Sequence, residues 1–128
     1  MAGRILNFAL LLLLGAVFGT VGTVLHQSTL TLAGVALPWG IIVALAAVAC
    51  LLAGLRLVNL GRAHAFAAAF GLVIMIGIFS LRSTGGSVLI PDNLLGKVWV
   101  FAPVIVATIV IAWPRLGDRQ RRLGNGIN

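Results

Sequence analysis

The residues of this chain that could do chemistry are few and far apart. His26, His64, Cys50, Asp92 and Asp118 are the side chains suited to acid–base work, nucleophilic attack or metal binding, and the sequence contains no Glu and no Tyr. A lone cysteine forms no intramolecular disulfide and no CxxC redox or metal motif, so Cys50 reads as a small packing residue. A hydrolytic arrangement of the Ser/His/Asp kind is arithmetically possible from His26, Ser28, Ser87 and Asp92, with Arg82 and Lys97 beside them. Such a site needs a nucleophile within hydrogen-bond reach of a base that is itself held in orientation, and nothing in the spacing indicates that geometry. No catalytic, cofactor-binding or metal-ligating residue is assigned, and the expectation is a protein that is not an enzyme. His26 and Asp92 are expected instead to share a hydrogen bond between loops.

The elements that must carry these residues are membrane spans. Hydrophobic residues make up 61% of the 128 positions and charged residues 9%, far from the balance of a soluble domain. A hydrocarbon core of ~30 Å needs about 20 helical residues, and four runs approach that length: Ile5 to Leu25, Trp39 to Leu57, Ala65 to Leu81 and Leu94 to Trp113. The predicted fold is an all-α membrane protein with four transmembrane helices. Pro103 removes a backbone donor inside the fourth run and frees the carbonyl of Trp99, so a kink is expected there.

Lys and Arg number 9 against 2 Asp plus Glu, and their placement gives direction rather than a nucleic-acid surface. Arg4, Arg56, Arg62, Arg115, Arg119, Arg121 and Arg122 fall on one side of the four-span layout, Arg82 and Lys97 on the other. Both termini are therefore expected in the cytoplasm, in a multi-pass protein of the cell membrane. Trp39, Trp99 and Trp113 sit at span ends and read as interfacial belt residues. Arg4 before a long apolar stretch also resembles a secretory signal peptide, but Thr20-Val21-Gly22 is a poor cleavage site and the apolar run exceeds the usual length, so residues 1–22 are expected to stay. Arg supplies eight of the nine basic residues, and Ala, Val, Leu and Gly dominate, a bias that fits a GC-rich bacterial genome.

The connections are short. His26 to Pro38 is polar at its start and apolar at its end, and is expected to lie along the outer interface. Val58 to His64 is a tight inner turn with Gly61 as the stop of the second helix. In the link from Arg82 to Lys97, Gly85-Gly86 breaks a helix, Ser87 to Ile90 is extended, and Asp92 or Asn93 caps the fourth helix. Residues 115–128 form a basic cytoplasmic tail after a bundle of residues 1–114, and Arg115, Arg119, Arg121 and Arg122 there would anchor topology and attract anionic lipid.

Small residues supply the strongest pattern inside the spans. Gly15, Gly19 and Thr23 recur every four residues with Gly22 beside them, a stripe that lets another helix approach closely where lipid gives no hydrophobic drive. It reads as a helix-packing face or a partner interface, and on the second reading Gly19→Leu would dissociate the partner or oligomer. Ala46, Cys50 and Gly54 form a second stripe, and Ala63, Ala67 and Gly71 a third. No span carries a charge at its middle, where an ion or proton path would be sought.

The four-span layout resembles the small multidrug resistance transporters, but those work around a glutamate of their first span, which this chain lacks. It is similar also to the dual-topology fluoride channels, from which the one-sided charge and the missing Asn-bearing helix pattern set it apart. A haem- or quinone-binding cytochrome b subunit would place histidines inside spans, whereas His26 and His64 are at the edges. The stretches GTVGTVLHQ, LPWG and GSVLIPDNLLGKVW resemble a group of small uncharacterised actinobacterial four-span integral membrane proteins, a likeness that implies the fold and no activity. The expected function is that of a non-enzymatic accessory or assembly subunit of a larger membrane complex. The alternative is a small homo-oligomeric transporter or channel, with Thr20, Thr23 and the Pro103 kink lining its path.

Overall fold

A computed structural model describes residues 1–58, 61–81, 84–114, 124 and 126. Four helices carry the fold: α1, Ala2–Leu25; α2, Trp39–Leu57; α3, Arg62–Ser80; and α4, Leu94–Ala112. All four are long and apolar enough to cross a membrane. At about 1.5 Å per residue, nineteen residues rise roughly 28 Å, which matches a hydrocarbon core of ~30 Å. With no water there to satisfy backbone groups, an apolar run of this length closes its hydrogen bonds within itself, and the helix follows. The chain is a multi-pass, all-α membrane protein.

The helices begin and end close to where hydropathy places them, with instructive differences. α1 and α3 each start three residues before their apolar runs, because Arg4, Arg62 and His64 are compatible with a first helical turn even though hydrocarbon excludes their charges or polar atoms. Gly61 does not stop α2, which ends at Leu57; it is the N-cap of α3, with φ +87°. Asn93 caps α4 through its Oδ1, which accepts from the Gly96 N–H at 2.8 Å. Pro103 lies buried within the uninterrupted α4.

One element departs from the expected helix-and-loop layout. Between α1 and α2 the chain forms a hairpin of β1, Leu30–Leu32, and β2, Val35–Leu37, paired antiparallel with Leu30 opposite Leu37 and Leu32 opposite Val35. Its two-residue turn has positive φ at both Ala33 (+52°) and Gly34 (+81°), the condition for a turn whose twist matches a hairpin.

α1 and α3 run parallel and share the most extensive contact, while α2 packs on α4 and both pairs touch. The bundle thus has two ends. One carries the C-terminus of α1 and the N-termini of α2 and α4, and is termed the His26 end; the other carries Arg56, His64 and Trp113, and is termed the Arg56 end. Each helix buries one stripe and leaves large aliphatic residues outside, among them Leu13, Ile42, Ile74 and Ile105. That is the expected distribution when the solvent is hydrocarbon. The core lies on the inward faces, around Val48 and Leu52 of α2, Ala68 and Leu72 of α3 and Trp99 of α4.

Candidate functional site

The small-residue stripe of α1 is used inside the chain. A Cβ on Gly15 would overlap the carbonyl of Ala68, and one on Gly19 would sit 2.8 Å from the carbonyl oxygen of Leu72. From the opposite side, a Cβ on Gly71 would collide with the Leu12 carbonyl. The two backbones therefore touch along about two helical turns of α1, from Leu12 to Gly19, the close approach that dispersion between membrane helices rewards. Gly15, Gly19, Gly22 and Thr23 are all buried.

Toward the His26 end this seam gives way to a chain of hydrogen bonds joining α1 to α4. The indole of Trp99, fully buried, lies over Gly22, and its Nε1–H donates to Thr23 Oγ1 at 3.0 Å. The Thr23 hydroxyl in turn donates to the Gly19 carbonyl at 2.7 Å. The Thr23 carbonyl accepts from His26 Nδ1 at 2.5 Å, which places the imidazole proton on Nδ1 and leaves Nε2 to accept from the Gln27 amide at 2.9 Å. Gln27 and Asn93 exchange amide hydrogen bonds of 3.2 and 3.1 Å, and Asn93 is the cap of α4. His26 is fully buried beside Trp99, with ring centroids 6.0 Å apart and planes 17° from parallel. Burial lowers its pKa below the ordinary 6.5, partly opposed by the hydrogen bond to Thr23, so the neutral tautomer described is the stable one.

This arrangement fastens α1 to α4. Both ring nitrogens of His26 are engaged, and no serine hydroxyl is among their partners. The hydrogen bond expected between His26 and Asp92 does not form, because Asp92 is 89% exposed and pairs with Lys97 at 3.3 Å. Thr20, which the transporter alternative would place on a path, donates to the Ala16 carbonyl at 2.8 Å. Among the described residues no three His, Cys, Asp or Glu side chains stand close enough to hold a metal ion.

No protein-family model, curated protein or solved structure matches this chain. Its chemistry therefore rests on geometry alone.

At the Arg56 end, the Arg56 guanidinium donates through Nη2 to the carbonyl of Trp113, the C-cap of α4. A cation there also complements the negative ends of α2 and α4. Its Nε and Nη1 are buried without a partner among the described residues, as is Nδ1 of His64, whose ring stacks on Phe8 with centroids 4.8 Å apart. Beside this stack an open cleft of about 440 Å³ is lined by Phe8, Arg62, Phe66 and Ile111 with Ala63 and Ala67. Its walls are nearly all apolar, which suits hydrocarbon and offers no converging polar groups for chemistry.

The other two small-residue stripes are disposed differently from that of α1. On α2, Ala46 and Cys50 are exposed and Gly54 has nothing within 4 Å of where its Cβ would be. On α3, Ala63 is exposed, Ala67 half-buried and Gly71 buried. Arg115, Arg119, Arg121 and Arg122 lie outside the described residues. Of the three tryptophans expected at the interfaces, Trp39 and Trp113 are exposed but Trp99 is in the core, since Gly22 leaves a slot for the ring and Thr23 accepts its N–H. That role, and the Gln27–Asn93 exchange, were not visible in the sequence. The only signal for them was the concentration of Thr, His and Gln at the end of an apolar run, which the structure shows to be an inter-helix fastening.

Proposed function

We propose that this protein is a non-enzymatic accessory or assembly subunit, docking against a larger membrane partner through α2, with the Arg56 end in the cytoplasm. The observation that carries the reading is the outward stripe of α2, where Ala46, Cys50 and Gly54 recur every four residues on a surface that the described residues leave uncovered. The same pattern on α1 is occupied by α3, so it serves close helix packing in this very fold; on α2 it is offered to another polypeptide. Orientation follows from charge: Arg4, Arg56 and Arg62 lie at one end, against Lys97 with its partner Asp92 at the other. The transporter reading has less behind it, since Thr20 and Thr23 both spend their hydroxyl protons on carbonyls of their own helix and Thr23 is covered by Trp99.

Cys50, the chain's single cysteine, makes a direct test available. A thiol-directed photocrosslinker attached there in native membranes should join the chain to one polypeptide of defined mass, and Ala46→Leu should abolish the product. Labelling of lipid alone would overturn the proposal.

A further inference from the structure

The hairpin β1–β2 has two unlike faces. Side chains directly opposite on paired strands point to the same side, so Leu30 with Leu37 and Leu32 with Val35 form one face, and Thr31 with Ala36 the other. The first face is wholly aliphatic and uncovered by the described residues: Leu30 is 50% exposed, Leu32 59%, Val35 66% and Leu37 45%. Held in water, four such side chains on a two-stranded hairpin would be a poor arrangement, because an isolated hairpin is marginal and none of the described residues buries its apolar side.

We infer that the hairpin is an interfacial membrane anchor, its Leu30, Leu32, Val35 and Leu37 face lying in the boundary between lipid headgroups and acyl chains at the His26 end. The occupant follows from continuity with the lipid-facing belt of the spans. The base of the hairpin is fixed at the membrane surface, where Gly40 N–H, in the first turn of α2, donates to the Ser28 carbonyl at 3.1 Å. Only Pro38 separates β2 from the partly exposed Trp39, and the two helices that the hairpin joins expose Val21 and Val24 near the end of α1 and Ile42 and Val43 near the start of α2. No charged residue occurs from Gln27 to Leu55, so neither the hairpin nor the segments that flank it in sequence carry a charge that would favour bulk water.

Depth follows from the backbone. Two strands leave outer edges with unpaired N–H and C=O groups, which hydrated headgroups satisfy and the hydrocarbon core does not, so the hairpin lies flat at the boundary rather than within it. Its side chains enter the upper acyl region while Thr31 and Ala36 face water, as in an interfacial amphipathic helix built from strands instead.

The test uses single-cysteine variants in a Cys50→Ala background, reconstituted in phosphatidylcholine–phosphatidylglycerol vesicles and labelled with an environment-sensitive fluorophore at Leu32→Cys, Val35→Cys or Thr31→Cys. Secondary structure and monodispersity are checked first, and Val35→Cys reads the same face should Leu32→Cys fold poorly. Shallow nitroxide lipids should quench the probe at positions 32 and 35 at least twofold more than at 31, with aqueous iodide giving the reverse order. Equal iodide quenching at all three positions would overturn the anchor. A blue-shifted probe at 32 or 35 that neither quencher reaches would overturn it too, and would assign the face to a second copy or a protein partner.

Discussion

The indole of Trp99 occupies the space that any side chain at Gly22 would need, and reaches past it to hydrogen-bond Thr23 on the next residue of the same helix. One residue supplies the room and its neighbour the acceptor, so α1 and α4 are matched in shape and in polarity at a single point. Because a buried indole N–H is costly to leave unpaired, the two features act together. Gly22→Val should force the ring out, costing about 1–3 kcal/mol as overpacking. Gly54→Val, at a position with nothing within 4 Å, should stay within about 0.5 kcal/mol of the native chain. Unfolding of both variants in mixed micelles, with tryptophan emission as the probe, compares them directly.

Gly19 faces the carbonyl of Leu72 and lies buried between α1 and α3. Gly19→Leu should therefore act on the chain's own stability, by at least ~1–3 kcal/mol since backbone cannot yield as a flexible side chain does. The loss of a partner or oligomer expected from sequence for Gly19→Leu is predicted instead for Ala46→Leu on α2. Thermal denaturation in detergent separates the two variants.

Thr23→Val keeps the shape of the side chain and removes the acceptor of Trp99 Nε1–H. A loss of about 1–3 kcal/mol is expected, the cost of a buried donor left unmet. Trp99→Phe combined with it should cost less than the sum of the single changes, since the second removes the donor that the first orphans. A double-mutant cycle on unfolding free energies gives the coupling.

His26 makes stability depend on pH in a direction that burial fixes. Its folded pKa lies below 6.5, so as pH falls from 6.5 the unfolded chain takes up a proton that the native one does not. The contribution of neutral His26 is fully present above pH 6.5, shrinks as pH falls through the window beneath it, and is gone below the folded pKa. Unfolding measured from pH 8 to pH 4.5 should show this decline, and His26→Asn should flatten it.

Much of the architecture was legible because it depends on local hydropathy. The starts of α2 at Trp39 and α4 at Leu94 coincide with their apolar runs, and Asn93 was one of two expected caps. The hairpin escaped notice because its signal is a two-residue Ala33-Gly34 turn between strands of three residues, too short for periodicity to register. The burial of Trp99 escaped for a different reason: a tryptophan two residues from Lys97 looks like an interfacial residue until Gly22 and Thr23, some 76 positions earlier, are known to meet it. Likewise, three stripes of small residues look alike in sequence. Which one faces a neighbour of its own chain depends on how the helices rotate about their axes, and that is settled by packing across the bundle.

The central claim, that α2 docks a separate membrane partner, is tested most directly by gentle extraction of the tagged chain from its native membrane, followed by mass spectrometry with stoichiometry, for the native protein and for Ala46→Leu. The account predicts one partner in fixed ratio with the native chain and its loss from the variant, while the variant unfolds as the native chain does. Recovery of both proteins alone as the same discrete homo-oligomer would contradict it.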